Sequence, residues 1–398
     1  MDPQERIAAT RFDDLEDAEH LPHALSDLRS PNARVRRAAV DALYRRLYRD
    51  KMVDHATLRA VPIVVDLANA ASTPDRYALF VFLATLLSDL PRNWRDGFNN
   101  NGRPPPSDTL LRIEHEIVRG ARGYASQVTV DDPRTRAAAS ALVAVLCGAP
   151  EFPKALHHQL VTVLRRQLVN ETHPRARASA QLASALIGHR LGLTDTAELS
   201  RMDLRAQTPI VRVATAAALL RAANSADPVR DLPEAIVDAL VIPVDPMSIH
   251  DFPWARGDPA ILAAEAIAFG CEPTTHVQLW SNAESRAVAA VRTLVSARAP
   301  FRDVDDSDAP VARAKRQSLG DLSSLLLEIG LRAFGGRSEP VLASELSPDQ
   351  LDLVRFLALE CELDAGYDRF GLPPRCDIAK FVAAAEPQID LRQFSTNA

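Results

Sequence analysis

Lysine is almost missing from this chain. Four lysines (Lys51, Lys154, Lys315 and Lys380) stand among 46 basic residues in 398, and the other 42 are arginines. Arginine used so freely is a compositional habit, so no single one of them marks a phosphate site. A formal net charge of −6 leaves no global field to draw the protein onto nucleic acid or anionic lipid. Aromatic residues make up only 5%, so the interior must be built from Ala, Leu and Val, whose small volumes let helices pack closely. The four cysteines, Cys147, Cys271, Cys361 and Cys376, show no metal-type spacing and read as reduced, buried thiols. Apolar stretches such as Ala78–Leu87 fall far short of the ~18 residues a membrane span needs. The opening MDPQERIAATRFDD lacks a signal-peptide pattern, so a cytoplasmic protein is expected. No HExxH, Walker A, GxSxG or GxGxxG motif occurs, so neither a cofactor nor a metal is expected.

What the chain does contain is spaced proline. Pro31, Pro74, Pro133, Pro174, Pro209, Pro259, Pro310 and Pro348 each stand at the start of a helical pattern. Six follow a capping residue: Ser30, Thr73, Asp132, Thr208, Asp258 and Ser347. Such residues accept the orphan N–H groups of a first turn, and Pro suits the first helical position because it has no N–H to orphan. Five of the prolines carry Arg three residues on: Arg34, Arg136, Arg177, Arg212 and Arg313. The separations, 35 to 59 residues, bracket the roughly 40–47 residues of a repeat made of two helices. Helices are expected near 20–29, 56–70 and 74–89, with further ones from Pro133, Pro174 and Pro209 that are apolar nearly all round. Gln127–Val130 is the only short strand candidate. Two long steps hold insertions, 91–107 and 242–258, expected on opposite edges with Trp94 and Trp254 far apart.

SPNARVRRAAVDALYRRLY (30–48) resembles the HEAT-repeat consensus in its cap-Pro start, its Val35-Arg36 pair and the alanines that follow. AVPIVVDLANAASTPDRYALFVFLATLL (60–87) and FGLPPR (370–375) are similar to HEAT-repeat-domain proteins of actinobacteria. The resemblance implies an all-α fold, a right-handed α-solenoid of about seven or eight HEAT-like helix pairs (an armadillo-like superhelix) with second helices on its concave side. Its motifs are structural, so the fold carries over and the function is left mostly unassigned. The expected organisation is an N-terminal extension (1–19), a repeat array (20–346) and C-terminal capping helices (347–398), because terminal repeats must present a polar outer face.

Several groups of residues could carry function. In HEAT-like proteins the repeated Arg commonly bonds to an adjacent repeat; a phosphate-reading track is the other reading. Arg37, Asp41, Tyr44 and Tyr48 share one stripe of one helix, which is either a solvated face or a binding patch, since exposed Tyr and Arg are enriched at hot spots. Trp94 lies in the first insertion. His250, Asp251, Trp254 and Asp258 place an acid–base pair beside an aromatic in the second. Asp303-Val304-Asp305-Asp306 matches the DxDD pattern of class II terpene cyclases, and Asp13-Asp14-Leu15-Glu16-Asp17 a class I pattern, though acidic loops produce such strings by chance. The best-supported expectation is a non-enzymatic scaffold that binds a protein or peptide through its concave face or long loops. Alternatives are a HEAT-like DNA glycosylase or, less well supported, a cyclase-like enzyme using Asp303–Asp306.

Overall fold

The structure is a computed structural model that describes residues 3–12, 15, 18–47, 55–88, 108–192, 204, 208–222, 234–270, 282–301, 310–330 and 346–360. Among these residues there are sixteen α-helices, two single-turn 3₁₀ helices and no strand. No described helix is long and apolar enough to cross a membrane. Gln127–Val130 is not a strand: Gln127 closes a helix and the next residues turn. The chain divides into two compact units, one of Met1–Leu193 with Ile249–Pro253 and one of Thr194–Ser248 with Trp254–Ala398.

The first unit holds α1 (Pro3–Ala9), α2 (Leu21–Asp27), α3 (Ala33–Leu47), α4 (His55–Asn69), α5 (Arg76–Ser88), α6 (Asp108–Arg119), α7 (Ala121–Gln127), α8 (Pro133–Leu146), α9 (Lys154–Asn170) and α10 (Pro174–Arg190). Consecutive helices pair as α2–α3, α4–α5, α7–α8 and α9–α10. The second members then stack α3–α5–α8–α10, while the first members neighbour one another as α2–α4–α6 and α7–α9. Two layers of stacked helix pairs result, a helical-repeat-like arrangement. The second unit repeats it with α11 (Pro209–Ala222), α12 (Glu234–Leu240), α13 (Pro259–Gly270), α14 (Asn282–Ser296), α15 (Pro310–Gly330) and α16 (Pro348–Glu360). Here α11, α13, α15 and α16 stack in order, with α12 and α14 alongside.

Second helices are sandwiched, and their composition follows. Ala137–Ala144 of α8 and Ala178–Ala185 of α10 are buried without interruption. Alanine brings the backbones close enough for the Ser179 hydroxyl on α10 to donate to the Ala137 carbonyl of α8 at 2.7 Å. One first helix is split at Gly120. A Cβ there would meet the Tyr124 hydroxyl at 2.2 Å, so only glycine lets this fully buried ring sit against Asn69.

Six of the eight prolines open helices as expected; Pro31 and Pro74 do not. Asn32 is the better cap, its Oδ1 accepting from the Arg34 N–H at 2.9 Å, so α3 begins at Ala33. After Pro74, Asp75 takes a left-handed φ of 49° and α5 begins at Arg76. The shift moves the repeated arginine in the first repeat from Arg34, which is exposed, to Arg36. Arg36 donates backward to the Ser30 and Pro31 carbonyls (2.8 and 2.9 Å) and forward to Asp75 of the next repeat (2.7 Å). Arg136 does the same with the Val130 and Asp131 carbonyls and with Glu171, at 2.6–2.8 Å. Each of these two arginines ties the turn before its own helix to the turn that opens the next repeat.

Candidate functional site

The first turns of α8 and α10 share one register. Pro133 and Pro174 occupy the first helical position, so Arg134 and Arg175 take the second. Asp132 caps α8 through the Arg134 and Thr135 N–H groups, which fixes where Arg134 projects. Both arginines reach one carboxylate. Asp251 lies 3.1 Å from Arg134 Nε and 3.2 Å from Arg175 Nη1. The Arg134 guanidinium also stacks over the Tyr77 ring of α5, 5.5 Å from its centroid. Tyr77 in turn meets the His250 imidazole edge-on, with centroids 6.2 Å apart.

His250 and Asp251 belong to Ile249–Pro253, a strap that is part of the first unit although second-unit residues flank it in sequence. Phe252 anchors it, fully buried. Burial pushes the His250 pKa below its ordinary value. Asp41 pulls it back up, Arg37 pushes it down, and Asp251 and Arg134 add smaller opposing effects. The ring is therefore a neutral hydrogen-bonding group at neutral pH. Asp251 is the main cause of a raised Arg134 pKa. The strap thus meets Tyr77 of α5, through His250, and Arg134 of α8 and Arg175 of α10, through Asp251, and His250 feels the charges of Arg37 and Asp41 on α3.

The Arg37, Asp41, Tyr44 stripe divides. Arg37 and Asp41 are exposed, and their charges act on His250 in opposite directions; no ion pair joins them to each other among the described residues. Tyr44 is half-buried and faces α5, its ring edge-on to Phe82 at 5.0 Å and its hydroxyl 3.5 Å from Thr85 Oγ1. Ala38 is exposed; the buried residues of α3 are Ala39, Val40, Leu43 and Leu47. Trp254 is buried, and Asp258 caps α13 through the Ala260 N–H (2.8 Å) while pairing with Arg298 at 3.1 Å inside the second unit. Tyr48, Trp94, Asp303–Asp306 and the acidic residues at 13, 14, 16 and 17 lie outside the described residues.

Tyr77, Arg134 and Arg175 were not singled out in the sequence. The signal was the Pro-Arg dipeptide repeated at 133–134 and 174–175, one residue past the proline used to find the period. Among the described residues no cluster of three His, Cys, Asp or Glu could hold a metal ion. Cys147 is buried, its thiol pushed up to about 12 by desolvation and partly drawn back by Arg190. Neither family models nor curated protein sequences match this chain.

Proposed function

We propose that the protein is a non-enzymatic, cytoplasmic scaffold of HEAT-type repeats, an α-solenoid that binds an acidic segment of a protein or peptide partner across its second helices. The observation that carries this reading is Asp251, an acidic residue of the chain's own strap held by arginines from two successive second helices. Arg134 and Arg175 converge on the single carboxylate of Asp251, an arrangement that suits an acidic group. The two ion pairs to Asp251 are partly exposed, and such pairs are worth roughly 0–1 kcal/mol. A partner carboxylate can therefore replace Asp251 at small cost while Phe252 stays buried. The repeated stacking of second helices supports the scaffold, because such arrays gain stability at each neighbour interface and offer long surfaces for binding.

Selection from a displayed random-peptide library tests the reading. Enriched peptides should carry Asp or Glu, bind at least about tenfold more weakly to Arg134→Ser/Arg175→Ser, and bind more tightly to Asp251→Ala. Enrichment of basic or uncharged peptides, or equal binding by the double variant, would remove the basis for it.

A further inference from the structure

The strap is itself a ligand of the second-helix surface, and two of its residues carry the contacts. His250 meets the Tyr77 ring of α5 edge-on, with centroids 6.2 Å apart. The next residue, Asp251, takes Arg134 of α8 and Arg175 of α10 at 3.1 and 3.2 Å. A ring followed by an acid thus runs from α5 to α8 and α10 across the stack.

The two seats are coupled. The Arg134 guanidinium that pairs with Asp251 also lies over Tyr77, 5.5 Å from its ring centroid. One arginine therefore borders both the aromatic seat and the acidic seat, so a ligand filling both needs its ring and its carboxylate on neighbouring residues. Tyr77, His250 and Asp251 are half-buried and Arg134 is exposed, so both seats are reached from the surface. An edge-on ring pair is worth roughly three- to tenfold in affinity.

Building on the acidic-segment reading of this surface, we propose that its partner carries an aromatic or histidine ring immediately before the Asp or Glu. The strap is a built-in stand-in for that dipeptide. The partner's ring packs on Tyr77 and its carboxylate pairs with Arg134 and Arg175, in the order the strap uses.

Fluorescence anisotropy of labelled peptides tests this on the full chain, as wild type and as His250→Ala/Asp251→Ala, which vacates both seats. The probes are Ser-Ile-X-Asp-Ala-Pro with X as His, Phe or Ala, the reversed Ser-Ile-Asp-Phe-Ala-Pro, and the uncharged Ser-Ile-Phe-Asn-Ala-Pro. The His and Phe peptides should bind roughly three- to tenfold tighter than the Ala and reversed peptides. All the acidic peptides should bind more weakly to the wild-type chain, where the strap competes. Tyr77→Leu should erase the ring's advantage and leave the Ala peptide within about twofold of its former affinity, whereas Tyr77→Phe should keep the advantage. Equal binding by the Phe, Ala and reversed peptides would overturn the dipeptide and leave the acidic-segment reading standing. An Asn peptide as tight as its Asp counterpart, or no saturable binding by any peptide below ~10 mM, would overturn both. An advantage that survives Tyr77→Leu would overturn the role given to Tyr77.

Discussion

Arg134 and Arg136 stand two residues apart in the first turn of α8 and live in different surroundings. Arg136 is 16% exposed and holds Glu171, which is 3% exposed; Arg134 is 53% exposed and holds Asp251, at 21%. Two residues turn an α-helix by about 200°, so one side chain aims toward α10 and its opening turn while the other leaves the stack. Arginine at such a start is therefore two residue types in effect. At the fourth position it clamps one helix pair to the next, and at the second it stays on the surface, where Arg134 and Arg175 meet the strap.

The comparison breaks most directly at Glu171. Arg136→Ala would leave a buried carboxylate without its main partner, and the expected loss is about 3–5 kcal/mol in urea unfolding. A loss under about 1 kcal/mol would show that the clamp is not one. The pH dependence has a definite sign. Burial raises the Glu171 pKa, but bonds from Arg136, the His173 N–H and Gln167 outweigh it, so the pKa lies below the ordinary value. Its stabilisation is then full above the unfolded glutamate value, about 4.3, and is lost as pH falls through the lowered folded value. Glu171→Gln should remove that component of acid unfolding.

Next in size is Tyr44, which separates the packed part of the α3 stripe from the open part. Tyr44→Ala should cost about 1–2 kcal/mol through the edge-on contact with Phe82. Tyr44→Phe should cost within about 0.5 kcal/mol, since the hydroxyl contact at 3.5 Å is long. Wild-type melting for Tyr44→Ala would return Tyr44 to the surface with Arg37 and Asp41.

The paired-helix pattern was legible because it is written in local signals. Capping residues, prolines and alanine-rich second helices are short-range chemistry, and six of eight starts coincide with their prolines. Pro31 and Pro74 failed where a neighbour dictated the backbone, Asn32 by capping and Asp75 by adopting a left-handed φ. The site was half legible. Arg37, Asp41, His250 and Asp251 were each noticed, but as two clusters about 210 residues apart in sequence. The influence of Arg37 and Asp41 on His250 is a long-range effect of the fold with no local signature. Tyr77, Arg134 and Arg175 went unseen because arginine is everywhere in this chain and Tyr77 sits within an apolar helix.

Arg134→Ser/Arg175→Ser should be nearly silent in stability, within about 1 kcal/mol by thermal melting, because both ion pairs are partly exposed. Set beside Arg136→Ala, this sharpens the division between clamp and surface. A double variant as damaging as Arg136→Ala would mean that the strap holds the first unit together and is no exchangeable ligand.

The smallest effect belongs to His250, and it reads the strap directly. Burial against Tyr77 and the strap favours the neutral ring, and Arg37 and Arg134 disfavour its charged form, while Asp41 and Asp251 favour it. The folded pKa is lowered, so between that value and the unfolded value of about 6.5 the unfolded chain binds more protons. Stability should rise with pH through that window and fall as acidification crosses the folded value. A single partly buried histidine makes this about 1 kcal/mol or less. NMR titration of the imidazole gives the direct measurement, with a midpoint below that of a model peptide. Arg37→Ala should raise the midpoint, because it removes a repelling charge, and Asp41→Asn should lower it further by removing an attracting one. A midpoint at the peptide value, unmoved by either change, would mean that the strap does not bury His250 within reach of the α3 charges in solution.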